Sequence, residues 1–164
     1  MREILFRGFT PDEKGRDKAF VNGEWIKGQW LQGSYMTLNE TTYCFKEDYE
    51  ANPNNTKHYI VFDQMTDCGL PNRHLQGDVI PETIGQYTGL TDKNGKKIFE
   101  GDIVASAGCL WVIAYENGSF VAQDERGRIY YTLYEHRKYI CEYEVIGNIH
   151  DNPELLEGGA SDER

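Results

Sequence analysis

The sequence lacks the short patterns that carry chemistry in many small proteins. Its four cysteines (Cys44, Cys68, Cys109 and Cys141) contain no Cys-x-x-Cys pair, the spacing typical of a structural zinc site. Neither Gly-x-Gly-x-x-Gly nor Gly-x-x-x-x-Gly-Lys occurs, and no serine lies in a Gly-x-Ser-x-Gly elbow. We therefore expect reduced, mostly buried thiols, with no cofactor, no metal and no catalytic residue.

Long apolar segments are also missing. The opening residues, Met1–Phe9, contain only a short apolar patch that Arg7 interrupts, so they do not form a secretory signal. No stretch approaches the roughly 20 apolar residues that a membrane-spanning helix requires. We therefore expect a cytoplasmic protein that does not enter a membrane.

Positive charge is scarce relative to negative charge. The formal net charge is −10, and residues 31–92 hold three basic groups against nine acidic ones. Such a chain repels a phosphate backbone, and no basic stripe offsets the repulsion, so direct nucleic-acid binding is disfavoured. The same excess supports one functional hypothesis, in which the protein is an acidic decoy that occupies a nucleic-acid-binding protein.

Tyrosine, with 11 copies, and glycine, with 17, are abundant, and they favour strands and turns. Asn-Gly occurs at Asn22-Gly23, Asn94-Gly95 and Asn117-Gly118, each time between segments of strand character. This dipeptide tolerates the positive φ angles of a type I′ turn, so three β-hairpins are predicted. A fourth turn is predicted at Glu125–Gly127. The other predicted strands are Ile4–Phe9, Trp30–Met36, Thr42–Phe45, Tyr59–Gln64, Thr83–Thr88, Asp102–Ala105 and Tyr143–His150.

These patterns predict a mainly β protein with few short helices. We expect an N-terminal β subregion in residues 1–81 and a small barrel-like C-terminal sheet in residues 82–156, followed by a disordered tail in residues 157–164. The segment Gly101–Val104 is similar to the first strand of many SH3-like barrels. Open sheet edges invite pairing, so a homo-oligomer is a further expectation.

The remaining segments are predicted as loops or short helices. Clusters of Asn, Gly and Pro predict loops at Glu47–Lys57 and Cys68–Pro81. One or two helical turns are predicted at Leu133–Tyr139, where bulky residues do not alternate. A short helix is predicted after Asn152-Pro153, with the asparagine as N-cap and the proline at the first helical position.

Two blocks of the chain resemble the YopX family. The first is the opening Met1–Gly8. The second runs from Gly85 to Val104 and is matched downstream by Glu144–Leu155, in order and spacing as well as composition. The resemblance implies a small phage- or prophage-encoded β protein acting in a bacterial host cell. It brings with it no established reaction and no catalytic residue.

Two acidic segments have both a chemical and a structural interpretation. Glu100 and Asp102 lie two apart in a predicted strand, so their side chains share a side, as the acid–base pair of an unrecognised hydrolase requires. We favour the structural alternative, in which Asp102 bonds nearby backbone amides at the entry of the strand. The segment Asp92–Gly95 does not fit a calcium loop, because Leu90 and Gly101 fall at ligand positions.

The candidate partner-binding residues are Tyr134, His136 and Tyr139. If these side chains are exposed together, they form a face of the kind enriched at protein interfaces. The alternative is that they belong to the core, where aromatic side chains pair across strands. Our leading hypothesis is a non-enzymatic accessory factor that binds a protein partner, with the acidic decoy and the hydrolase as alternatives.

Overall fold

The computed structural model describes residues 3–11, 20–21, 24–25, 27–39, 45–51, 56–64, 73–135 and 142–157. The chain divides into two compact units. The N-terminal unit is Leu5–Ile84, and the C-terminal unit combines Met1–Ile4 with Gly85–Arg164. None of the helices in the described ranges is long and apolar enough to cross a membrane.

Strands dominate both units, which confirms the mainly β prediction. The described strands of the N-terminal unit are β1 (Phe6–Phe9), β2 (Phe20–Val21), β3 (Glu24–Trp25), β4 (Trp30–Asn39), β5 (Thr56–Gln64) and β6 (Arg73–Asp78). Those of the C-terminal unit are β7 (Gly85–Thr91), β8 (Lys97–Phe99), β9 (Asp102–Ser106), β10 (Cys109–Glu116), β11 (Ser119–Gln123), β12 (Ile129–Thr132) and β13 (Glu144–Asn148). The short helices are α1 (Lys46–Ala51) and α2 (Glu154–Glu157), and a 3-10 turn covers Pro81–Thr83.

The N-terminal unit is built on four antiparallel strands in the order β6-β5-β4-β1. Their register places Tyr35 opposite Ile60, and Ile60 opposite Gly77. Because successive side chains point to opposite faces of a strand, these residues share one face of the sheet. Leu31, Ile60 and Val79 form the buried core of the unit on that face.

Glycines on the same face allow this close packing. A Cβ at Gly77 would collide with the Cδ1 atom of Leu31, and a Cβ at Gly33 would collide with the backbone carbonyl oxygen of Val61. A neighbouring side chain at Gly77 and a neighbouring strand backbone at Gly33 therefore occupy the space that larger residues would fill. Glycine in a strand interior commonly marks such a close approach.

The C-terminal unit contains a five-stranded antiparallel sheet in the order β12-β11-β10-β9-β13. Within the described residues its outer strands β12 and β13 do not pair with each other, so the predicted barrel-like sheet stays open and does not close into a barrel. One face carries the buried core residues Val104, Ile113 and Ala122. The β7–β8 hairpin covers that face with Ile98 and Leu90, so the apolar face is buried without closure of the sheet.

The predicted hairpins are present, with two kinds of turn. Asn117 and Gly118 have φ angles of 51° and 83°, as the type I′ prediction requires. Strand β2 pairs with β3, and the intervening Asn22-Gly23 lies outside the described residues, so the type of that turn stays a prediction. At Asn94-Gly95 only the glycine has positive φ. There the Asp92 carboxylate accepts hydrogen bonds from the backbone N–H groups of Asn94 and Lys96, which stabilises a longer turn.

Two segments predicted as loops contain regular structure. The segment Glu47–Lys57 includes most of α1, in which Lys46 and Glu50 form an i,i+4 ion pair at 3.1 Å. The segment Cys68–Pro81 includes β6, which pairs with β5 from Tyr59–Asp78 to Gln64–Arg73. The hydrogen bonds that stabilise β6 come from pairing with β5, and the polar sequence of β6 does not predict that pairing. For this reason the sequence predicted a loop here.

Several other predictions fall partly or wholly outside the described ranges. Residues 40–44, 136–141 and 158–164 belong to this group, so the strand at Thr42–Phe45, most of the predicted turn at Leu133–Tyr139 and the disordered tail stay predictions. The short helix after Asn152-Pro153 is confirmed as α2. Of the four cysteines, only Cys109 is described, and its thiol is free and exposed. The expectation of mostly buried thiols stays a prediction for the other three, which lie outside the described residues.

Candidate functional site

A groove in the C-terminal unit encloses about 350 Å³, a volume at the lower end of the range for ligand pockets. We call it the tyrosine groove because two exposed tyrosines line it. Its walls come from strand β7, from the β10–β11 hairpin and from the turn that follows β12. The lining residues are Gln86, Thr88, Leu90, Tyr115, Gly118, Ser119, Phe120, Leu133 and Tyr134.

Strand β7 supplies the first wall through three residues. Gln86, Thr88 and Leu90 all line the groove, and a β-bulge between Tyr87 and Thr91, where Gly89 has a φ of 86°, interrupts the regular alternation of side chains. The Thr88 hydroxyl donates to the carbonyl oxygen of Ile98 at 2.9 Å and accepts from the backbone N–H of Leu90 at 3.2 Å. These internal hydrogen bonds hold the wall in place and leave the Gln86 side chain as its polar group.

The β10–β11 hairpin supplies the second wall. The two-residue turn at Asn117-Gly118 sets the register of the strands and places Tyr115 directly opposite Phe120. Their rings pack edge to face, with centroids 5.1 Å apart. Tyr115 is still 49% exposed, so this pair presents aromatic surface to the groove and to solvent.

The third wall is the turn that begins at Leu133. The Leu133 N–H donates to the Phe120 carbonyl oxygen at 2.9 Å, which fixes the turn beside the second wall. Thr132 and Glu135 brace the turn, since the threonine hydroxyl donates to Glu135 Oε2 at 2.9 Å. Leu133 is buried, whereas the next residue, Tyr134, is 73% exposed.

The structure places one of the three predicted partner-binding residues in this groove. Tyr134 lines it and is the most exposed large apolar residue of the described chain. His136 and Tyr139 lie outside the described residues, so their part in the face stays a prediction. Sequence reasoning missed Tyr115 and Phe120, although the Asn117-Gly118 turn predicts that these two residues face each other.

The described side chains that line the tyrosine groove are uncharged. Two exposed carboxylates, those of Glu116 and Glu135, follow Tyr115 and Tyr134 in the sequence but do not line the groove. Glu116 is the next residue of strand β10 after Tyr115 and therefore points to the opposite face, and Glu135 bonds back to Thr132. A third carboxylate, that of Glu100, accepts a hydrogen bond of 3.5 Å from the Gln86 N–H.

The two carboxylates considered for acid–base chemistry, those of Glu100 and Asp102, each accept a hydrogen bond from a backbone N–H group. Asp102 is 1% exposed, and its Oδ2 accepts a hydrogen bond of 2.7 Å from the Phe99 N–H. This is the backbone contact at the strand entry that the structural interpretation predicted. Glu100 is half-buried and lies beside β7.

The second aromatic cluster of the C-terminal unit surrounds Trp111. A β-bulge in the pairing of β11 with β12 leaves Tyr130 as an extra residue. Tyr130 and Tyr131 therefore both contact the Trp111 ring, with ring centroids 4.9 and 5.5 Å from the Trp111 centroid. Tyr143 donates its hydroxyl hydrogen to the Tyr131 hydroxyl oxygen at 2.7 Å. Burial raises the pKa of both hydroxyls above the ordinary value, so this pair is neutral at physiological pH.

Histidines form local contacts in the N-terminal unit. His58 Nδ1 lies 2.7 Å from the Tyr35 hydroxyl, and His74 Nδ1 lies 2.6 Å from Asp63 Oδ1 on the surface. Across the described residues, no group of three or more His, Cys, Asp or Glu side chains is placed to hold a metal ion. The tyrosine groove is therefore the arrangement on which we base a function.

One of the comparisons with known proteins, that with protein-family models, agrees with the resemblance seen in the sequence. Among curated proteins, none matches the chain. A solved structure, protein EF1440 from Enterococcus faecalis, is similar at 26% identity over 95% of this chain and 99% of that chain, with a TM-score of 0.45. The model of the YopX protein family matches residues 22–157, which is most of the sequence. The chain therefore belongs to the YopX family.

Proposed function

We propose that the protein is a phage- or prophage-encoded accessory factor that works in the bacterial cytoplasm by binding a protein partner of the host, without catalysing a reaction. The observation that carries this proposal is the tyrosine groove, with Tyr134 73% exposed and Tyr115 49% exposed at its border. Membership of the YopX family supports the setting but names no partner.

The composition of the groove suits protein binding. Tyrosine is enriched at protein interfaces, because a rigid ring buries a large area while its hydroxyl still makes a hydrogen bond. The groove combines these rings with apolar Leu90, Leu133 and Phe120 and with the neutral polar side chains of Gln86 and Ser119. Such an apolar floor with few polar groups at its border is typical of a pocket that receives a side chain of a partner.

The groove is also held rigid before any partner arrives. The type I′ turn fixes Tyr115 against Phe120, and the backbone bond from Leu133 to Phe120 fixes the third wall. Binding to a preformed surface loses less conformational entropy than binding to a mobile one. We therefore expect the tyrosine groove to bind its partner without a large rearrangement of the described backbone.

Photo-cross-linking from within the groove tests this function. The variant Tyr134→p-benzoylphenylalanine, irradiated in cells of the natural host, is expected to give one dominant cross-linked protein. The additional substitution Tyr115→Ala, on the opposite wall, should reduce the yield at least about tenfold, as loss of a central aromatic contact does at other interfaces.

A matched control lies on the same unit. Tyr130 is 54% exposed but packs on Trp111 and does not line the groove. The variant Tyr130→p-benzoylphenylalanine should not capture the same protein. Equal capture from positions 130 and 134, or capture from position 134 that Tyr115→Ala leaves unchanged, would contradict binding at the groove.

A further inference from the structure

We infer that the tyrosine groove receives one uncharged aromatic side chain of the partner, a tryptophan or a tyrosine, and that Gln86 selects it by a hydrogen bond. This inference rests on the proposed function and adds the chemical class of the group that enters the groove. Three properties of the groove carry it: the uncharged lining, the rings that surround the space and the side-chain amide of Gln86.

The lining of the groove disfavours a charged group. None of the described side chains that line it carries a formal charge, and the apolar part is formed by Leu90, Phe120 and Leu133. A lysine, arginine or carboxylate side chain that entered would leave water without meeting an opposite charge, which is costly. An uncharged side chain does not incur this cost, so the groove favours it.

The size and the rings of the groove favour an aromatic side chain. An apolar cavity of about 150 Å³ is enough for one benzene ring, so the groove, at about 350 Å³, has room for an indole or a phenol. The rings of Tyr115, Phe120 and Tyr134 line this space. Aromatic rings prefer edge-to-face or offset contacts, and Tyr115 and Phe120 already form one with centroids 5.1 Å apart. A partner ring would gain further contacts of this kind, whereas an aliphatic side chain would gain from burial alone.

Gln86 supplies a polar group that distinguishes one aromatic residue from another. The hydroxyls of Thr88 and Ser119 already donate to backbone carbonyl oxygens, at 2.9 and 3.5 Å. Gln86 bonds Glu100 through its backbone, but no residue in the described part of the chain bonds its side-chain amide. An indole N–H or a phenol O–H that becomes buried needs an acceptor, and Gln86 Oε1 is one. Phenylalanine has no such donor and gains nothing from Gln86.

Titration of the isotope-labelled full-length protein with capped peptides tests the inference. The peptides are acetyl-Gly-Gly-X-Gly-Gly-amide, with tryptophan, tyrosine, phenylalanine, leucine or lysine at X, and NMR follows the backbone amide signals of Leu90, Ser119 and Phe120. The tryptophan and tyrosine peptides should bind with Kd values about two- to tenfold lower than the phenylalanine peptide, the effect of one hydrogen bond. The leucine peptide should bind more weakly than the phenylalanine peptide, because it lacks the ring contacts, and the lysine peptide most weakly of all.

A pair of variants isolates the contribution of the amide. Gln86→Met keeps an unbranched side chain but removes the acceptor, so it should raise the Kd of the tryptophan and tyrosine peptides about two- to tenfold and leave that of the phenylalanine peptide within about twofold. Gln123→Met is the matched control, because Gln123 is half-buried in the same unit and does not line the groove. It should change none of these Kd values. A dispersed NMR spectrum shows that each variant is folded, and the peptide series on the wild type tests the inference without any variant.

The possible outcomes separate this inference from the function on which it rests. Equal Kd values for the tryptophan, tyrosine and phenylalanine peptides, or an unchanged preference in Gln86→Met, would overturn the inference. Tighter binding of the leucine or lysine peptide would also overturn it. In each of these cases groove-mediated binding stands. If no peptide shifts the groove signals, the inference falls, and the photo-cross-linking experiment alone decides the proposed function.

Discussion

The carboxylate of Asp92 accepts a hydrogen bond of 3.0 Å from the backbone N–H of Val145, a residue 53 positions further along the chain. The same carboxylate closes its own turn through the N–H groups of Asn94 and Lys96. Asp92 therefore ties the β7–β8 hairpin to strand β13, and it is 5% exposed. Because β7 forms one wall of the tyrosine groove, this residue stabilises the scaffold of the candidate site.

The first prediction concerns the substitution Asp92→Asn. An amide has one acceptor oxygen in place of two, so either Val145 or the turn loses its acceptor and a buried N–H is left without a partner. We expect the free energy of unfolding to fall by about 1–3 kcal/mol. Urea denaturation followed by circular dichroism measures the change.

Asp124 offers a matched control. It begins the same kind of turn, with its Oδ1 accepting from the N–H groups of Arg126 and Arg128, and both donors belong to that same exposed turn. We expect Asp124→Asn to cost clearly less than Asp92→Asn. Equal losses in the two variants would show that the bond to Val145 adds nothing.

The second prediction is the pH dependence of stability. Burial on its own raises the pKa of Asp92, but the N–H groups of Val145, Lys96 and Asn94 outweigh it and hold that pKa below the ordinary value of 3.8. A carboxyl whose pKa is lower in the folded state stabilises the fold above its unfolded pKa, and this stabilisation is lost as the pH falls through the folded pKa. The difference in stability between wild type and Asp92→Asn should therefore be full at pH 6 and should shrink below about pH 4. A difference that stays constant down to pH 2 would contradict this assignment.

The third prediction compares two glycines of the N-terminal unit. A Cβ at Gly33 meets a backbone carbonyl oxygen, whereas a Cβ at Gly77 meets the end of the Leu31 side chain. A side chain can rotate away, but a paired strand cannot shift without breaking hydrogen bonds. Gly77→Ala should cost about 1–3 kcal/mol, and Gly33→Ala should cost more. Thermal unfolding of both variants measures the order, and the reverse order would contradict the packing described for this sheet.

The fourth prediction concerns the Tyr131–Tyr143 hydroxyl pair. Tyr143→Phe removes the donor of a 2.7 Å hydrogen bond and should cost about 1 kcal/mol. Because the two hydroxyls bond each other, the double variant Tyr131→Phe with Tyr143→Phe should cost less than the sum of the single ones. Additive losses would show that the pair is not coupled.

The same pair predicts a loss of stability at high pH. Burial raises the pKa of both tyrosines in the folded state. Groups with such a raised pKa stabilise the fold below the unfolded pKa of about 10, and this stabilisation is lost as the pH rises further. The wild type should therefore lose stability above about pH 10 more steeply than the double Phe variant. Absorbance at 295 nm, which reports tyrosine ionisation, should show these two hydroxyls ionising at a higher pH than the exposed tyrosines do.

Local sequence was enough to predict the parts of the fold that depend on neighbouring residues. Asn117-Gly118 specifies its hairpin because both residues adopt positive φ at little cost, and Asn152-Pro153 specifies the start of α2. Strand β6 was missed because its polar sequence becomes a strand through pairing with β5. Helix α1 was missed because its sequence is also polar, and the i,i+4 ion pair of Lys46 with Glu50 forms only in the helix. The actual turn at Asp92–Lys96 was missed because a carboxylate, and not the Asn-Gly pair, supplies the acceptor.

The amino-acid sequence by itself determined the mainly β class, the hairpin turns, the negative charge and the family, because each of these depends on residue type and short spacing. Only the tertiary structure decided that the C-terminal sheet stays open, since that depends on the β7–β8 hairpin covering its apolar face. Tertiary packing also decided the candidate site. Tyr134 was recognisable in the sequence, but Gln86, Tyr115 and Tyr134 line one groove only because three distant segments meet there. Contacts between distant segments depend on how the whole chain buries its apolar surface, and a local sequence pattern does not contain that information.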